Sequence, residues 1–194
     1  MDEHTDAQIC QTEEIWIRRG VRVNPKAVHR KPSGDVFLRS LDLCLISPSA
    51  VMMKRELFQR LGGFDETFPV CEDYDLWLRI AVELPIPLIA EPLVIKRGGH
   101  ADQLSRSTWG MDRYRVLALQ KLLRGRLDGL RRTAALNVLG RKVGVLANGA
   151  RKRGKLREAA EFEAILAEFE LERADERERD SRLRQGQGLS PADA

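Results

Sequence analysis

The chain has 194 residues, enough for one globular domain or for a compact domain with an appendage. Hydrophobic residues make up 43% and charged residues 32%, and no apolar run approaches the ~18 residues that a membrane-spanning helix needs. The net charge of +4 admits an anionic partner of any kind, while three well-separated cysteines without a C-x-x-C pair argue against a disulfide scaffold or a structural zinc site.

The polar, acidic residues 1–4 are no signal peptide, so a reducing cytoplasm is the expected setting. Residues 9–18 carry Ile9, Ile15, Trp16 and Ile17 and predict a strand. Arg19-Gly20 is a turn into the alternating Val21-Arg22-Val23, which Asn24-Pro25 ends, so a hairpin is expected. Residues 29–34 read as a basic loop. Residues 41–46 are predominantly apolar and predict a buried strand, interrupted by Ser47-Pro48-Ser49 before the β-like run 50–53. A short helix should cover 54–61 with Leu57, Phe58 and Leu61 on one side, and Gly62-Gly63 is its stop. A second helix opens at Glu72-Asp73. Leu76, Trp77, Ile80 and Ala81 share one face of it, and Pro85 and Pro87 end it. Residues 88–90 and 93–95 predict two short strands, and Gly98-Gly99-His100 a loop.

From Trp109 onward the pattern is helical. Leu136, Leu139, Val143 and Leu146 step by three and four, as do Ala159, Phe162, Leu166 and Phe169, and Gly149 and Gly154 bracket the expected turn of an antiparallel helix pair. Charge switches sign along this tail. Residues 106–157 hold fifteen Lys or Arg against two acids, and residues 158–180 hold ten acids against three Arg. Two mutually attracting segments, or a basic stripe facing phosphate or anionic lipid, would produce such a pattern. Residues 185–194 are polar with Gly and Pro, the composition of a disordered terminus.

Between Ser47 and Ser107 five pieces occur in order. They are a serine-bearing strand (Ser47, Ser49), a short helix ending in Gly62-Gly63-Phe64-Asp65-Glu66, a helix start Glu72-Asp73-Tyr74-Asp75-Leu76 with Arg79, a strand Glu91-Pro92-Leu93, and a loop bearing His100. This stretch resembles the second half of a family 2 glycosyltransferase domain, and the resemblance covers about the first hundred residues. It implies an α/β fold: a partial GT-A, Rossmann-like domain over 1–107 without its N-terminal nucleotide-binding half, then a helical tail over 108–184 and the polar terminus 185–194. A chain of this form is expected to be a truncated enzyme, inactive alone.

The resemblance also implies roles. Transfer from a nucleotide sugar requires the acceptor hydroxyl to lose its proton as it attacks the anomeric carbon, and a carboxylate within hydrogen-bond reach accepts it. Asp73 stands at the position of that base in an inverting displacement, with Glu72 beside it to orient acceptor or base. A place in the first turn of a helix fixes the direction of the carboxylate and favours its ionised form. The departing diphosphate needs positive charge, so a divalent metal (Mg or Mn) is expected, held mainly by an Asp-x-Asp motif absent from this chain, with His100 as a further ligand. Ser49, Arg97 and Arg106 are the expected substrate and diphosphate contacts. Asp73-Tyr74-Asp75 has the Asp-x-Asp spacing but belongs to the base motif. The implied partners are a nucleotide-sugar donor and a saccharide or lipid-linked acceptor, with peripheral contact to an anionic membrane face through the basic tail. Nucleic acid is not expected, for want of a recognised motif and of aromatics for base stacking. The alternative is a non-catalytic interaction module whose basic helices bind an acidic partner.

Overall fold

The computed structural model describes residues 6–24, 26–98 and 110–186, with side chains to residue 171. It is a mixed α/β structure with a four-stranded sheet and, among the described residues, six α-helices. The chain divides into two compact units, Met1–Val138 and Leu139–Ala194.

The first unit is organised around one strand. β1 (Ile9–Arg18) pairs with every other strand: antiparallel with β2 (Val21–Val23) at its end, antiparallel with β3 (Val51–Met53) at its beginning, and parallel with β4 (Leu88–Gly98) from Gln11 to Arg18. The β1–β2 connection is the expected two-residue turn. Arg19 and Gly20 have φ of 51° and 80°, the left-handed pair that matches the twist of a hairpin. β4 is one strand where the sequence predicts two. Register shifts on either side of the Glu13–Pro92 pair leave Ala90-Glu91 and Leu93 as the extra residues, and such bulges let a strand carry a proline that cannot donate to the ladder.

Residues 41–46 form no strand. Leu41, Leu45 and Ile46 are buried as expected, but the segment follows a one-turn helix, α1 (Phe37–Ser40), opened by Asp35 Oδ1 accepting from the Phe37 amide at 3.1 Å. Apolar composition reports burial and does not by itself distinguish a strand from buried irregular chain. α2 (Arg55–Arg60) ends as predicted, with Gly62 and Gly63 at φ of 76° and 68°. α3 (Glu72–Glu83) buries Leu76, Trp77, Ile80 and Ala81 together with Tyr74 and Leu78, so the helical period read from the sequence is the face that packs. α4 (Met111–Arg124) packs on α3 and buries Val116, Leu119, Leu122 and Leu123. Asp128 then caps α5 (Gly129–Lys152), its Oδ1 accepting from the Arg131 amide at 2.8 Å.

In the second unit the end of α5 and the start of α6 (Leu156–Gly186) form an antiparallel pair about Ala147, Ala150, Ala159 and Phe162. The turn falls at Gly154, φ 72°, alone. Gly149 lies inside α5, where its missing side chain leaves room for the guanidinium of Arg153. The sign change in the tail has a local counterpart: Arg151 of α5 pairs with Glu163 of α6. Residues 187–194 of the expected polar terminus lie outside the described residues.

Candidate active site

The chain enters α3 through Cys71, whose φ of 66° is left-handed. For a residue with a side chain this costs on the order of 1–2 kcal/mol, and here it turns the backbone so that Glu72 and Asp73 occupy the first helical turn. Asp73 is half-buried. Its Oδ1 accepts from the Tyr74 amide at 2.7 Å and its Oδ2 from the Cys44 thiol at 3.4 Å. No cation among the described residues lies within ion-pairing distance of it. Burial, and then the Asp73 charge, push the Cys44 thiol well above its usual range, so Cys44 remains a protonated donor to that carboxylate.

Cys44 is also a wall of a cavity of about 390 Å³. The floor is the sheet, where Glu14 and Trp16 project from one face of β1 and Lys96 sits opposite Trp16 on β4. The remaining wall is the segment from Lys26 to Lys31, with Ser47 beside it. A polar chain runs across the floor. Lys96 Nζ donates to Ser47 Oγ at 3.0 Å, Ser47 Oγ donates to Glu14 Oε2 at 3.1 Å, and the Trp16 indole N–H donates to the same oxygen at 3.1 Å. Lys31 Nζ donates to the Thr12 carbonyl at 2.8 Å and stands 3.6 Å from Glu14 Oε2. The Lys96 ammonium lies 5.3 Å from the centre of the Trp16 ring, and the His29 ring is tilted against that indole at 6.1 Å. Burial lowers the Lys31 pKa despite the neighbouring Glu14.

The rest of the motif is occupied elsewhere. Asp75, 2% exposed, receives Arg79 Nε at 2.9 Å and Lys121 Nζ at 3.0 Å. Arg79 also donates to the carbonyls of Leu61 and Gly63. Asp65 closes the Gly-Gly-Phe-Asp-Glu loop: it binds the Thr67 amide and hydroxyl through Oδ1 and Lys121 through Oδ2 at 2.7 Å. Asp73 and Asp75 therefore differ in kind. Among the described residues one is held only by a thiol and its neighbouring amide, and the other is neutralised by two cations, which leaves Asp73-Tyr74-Asp75 unsuited to hold a divalent ion. Among the described residues no group of three potential metal ligands occurs.

Of the residues singled out in the sequence, Glu72 and Asp73 are neighbours at the start of α3. Ser49 is exposed in the 3-10 turn Pro48–Ala50, while Ser47, next but one, faces the cavity. Arg97 is exposed on β4, one residue along from Lys96, and alternation along the strand sends it to the other face of the sheet. His100 and Arg106 lie outside the described residues. Glu14, Trp16, Lys31, Cys44 and Lys96 were not singled out. One signal for them exists: Glu14 is a charged residue on a strand that carries an aromatic, Trp16, two positions on and so on the same face.

No helix among the described residues is long and apolar enough to cross a membrane. No curated protein and no solved structure matches the chain. A protein-family model does: residues 29–110 match the family described as glycosyltransferase like family 2. The match takes in Lys31, Cys44, Ser47, Asp73 and Lys96, and begins after Glu14 and Trp16. The matched segment carries Asp73 and part of the cavity lining, and it is in this segment that the chain is similar to the glycosyltransferase like family 2.

Proposed function

We propose that the protein serves inverting glycosyl transfer from a nucleotide-sugar donor to a saccharide or lipid-linked acceptor, as the acceptor-side half of a GT-A arrangement, with Asp73 as general base. The observation that carries this reading is the state of the Asp73 carboxylate. It is fixed at the mouth of α3, bears no ion pair among the described residues, and accepts from the thiol of Cys44, a residue that lines a polar cavity to which Asp73 itself does not contribute. The acceptor hydroxyl gives its proton to Asp73 as its oxygen forms the new bond to the anomeric carbon. The bond from that carbon to the diphosphate oxygen breaks, and the electron pair leaves with the nucleoside diphosphate. Helix placement limits the rotation of the carboxylate, and Glu72 adds negative charge on the same turn. Asp75 and Arg79 act through position alone, tying α3 to the loop that follows α2.

The test is transfer from a panel of nucleotide sugars, read as release of nucleoside diphosphate, by the chain joined to the donor-binding half of a family 2 glycosyltransferase, with Asp73→Asn beside the unaltered sequence. General-base loss predicts a fall of about 100-fold or more. Near-normal transfer by the variant removes Asp73 from the chemistry.

A further inference from the structure

We propose that the cavity on the Glu14–Trp16 face of the sheet is an acceptor pocket selective for a negatively charged saccharide, one bearing a carboxylate or a phosphate. The proposal rests on the reading of Asp73 as base, because Cys44 makes that carboxylate and the cavity neighbours.

Four cations, Lys26, Arg30, Lys31 and Lys96, line the cavity against two carboxylates, Glu13 and Glu14. Glu14 is not available to a ligand. Its side chain is 1% exposed, its Oε2 already faces the indole N–H, the Ser47 hydroxyl and Lys31, and its Oε1 is enclosed without a hydrogen-bond partner among the described residues. It is the internal counter-ion of Lys31. Lys96 has a hydroxyl and an aromatic ring as its nearest partners and no carboxylate in ion-pairing distance among the described residues. Ser47 is oriented by giving its proton to Glu14, so it meets Lys96 as an acceptor and holds that ammonium in one place. The floor thus presents a preset ammonium in a partly desolvated site, an arrangement that a neutral sugar leaves uncompensated and an anionic one completes. Trp16, Ser47 and the Cys44 wall supply the apolar and hydroxyl-bonding surface that a bare anion does not use. A volume near 390 Å³ is of the order of a small-molecule site.

The experiment is calorimetric titration of the full chain at low salt with glucose 6-phosphate, glucuronate, glucose, inorganic phosphate and uridine diphosphate. One or both acidic sugars should bind at least tenfold more tightly than glucose, inorganic phosphate and the nucleotide. Lys96→Met, at a half-buried position that tolerates an aliphatic stem, should weaken that binding at least tenfold, and Lys155→Met in the second unit should not change it. Comparable binding of inorganic phosphate overturns the saccharide part, comparable binding of glucose overturns the anionic part, and tightest binding of uridine diphosphate reassigns the cavity to the donor. Absence of binding by every probe, or indifference to Lys96→Met, overturns the pocket. Loss of acidic-sugar binding with transfer still dependent on Asp73 removes this proposal alone. Binding retained while Asp73→Asn transfers normally removes the base and leaves the pocket.

Discussion

Truncation of Arg79 tests whether the second half of the Glu-Asp-x-Asp-Leu-x-x-Arg pattern is structural. Arg79→Met keeps the aliphatic stem and deletes the guanidinium. Asp75, 2% exposed, is then left with Lys121 alone, and the carbonyls of Leu61 and Gly63 lose a donor. Removing one partner of a buried pair costs about 3–5 kcal/mol. Lys121 remains 3.0 Å from Asp75, but its side chain is 40% exposed, so it recovers only about 1 kcal/mol. The expected loss is roughly 2–4 kcal/mol by these figures, measured by urea denaturation with Trp77, buried on α3, among the fluorescent reporters. Asp75→Asn together with Arg79→Met should cost less than the two single changes combined by about 1 kcal/mol or more, because the double variant buries no unpaired charge. A single-variant loss below about 1 kcal/mol, or strict additivity in the cycle, would refute the structural assignment.

Two further outcomes stem from burial. The Cys71 thiol is raised by burial from 9.0 to about 11, so near pH 8 its thiolate fraction falls about 100-fold, and alkylation followed by peptide mass analysis should show that slowing in the folded protein. A half-maximal alkylation rate near pH 9 at Cys71 contradicts it. Lys31 has a folded pKa lowered from 10.5, chiefly by burial. The unfolded chain therefore binds more protons between the lowered value and 10.5, and stability rises with pH through that window. Lys31→Met should abolish the rise, and an unchanged pH dependence of the denaturation midpoint would count against burial as its cause.

The sequence was most legible where one rule acts over several residues. The α3 face, the Gly62-Gly63 stop and the Arg19-Gly20 turn each follow from local geometry, and so does the place of Glu72 and Asp73 at the start of α3. It was least legible where partners come from distant parts of the chain. Glu14 draws its donors from Trp16, Lys31 and Ser47, and nothing local to residue 14 announces two of those. Residues 41–46 and Leu88–Gly98 failed for related reasons: burial without hydrogen-bond pairing looks like a strand, and a proline flanked by bulges looks like a break. Between Lys96 and Arg97, or Ser47 and Ser49, composition offers no choice, and strand alternation and a 3-10 turn decide.

The parallel pairing of β1 with β4 has a kinetic corollary. Gln11 meets Leu88, and Trp16 meets Lys96, only after the whole intervening chain has closed into a loop, and such non-local closure costs entropy before any contact offsets it. The cavity floor is therefore assembled late in folding, whereas the α2–α3 fastening, built from residues close in sequence, can form early. Refolding followed at the Trp16 indole should lag behind the appearance of helix, and substitutions at Lys96 should accelerate unfolding more than they slow folding.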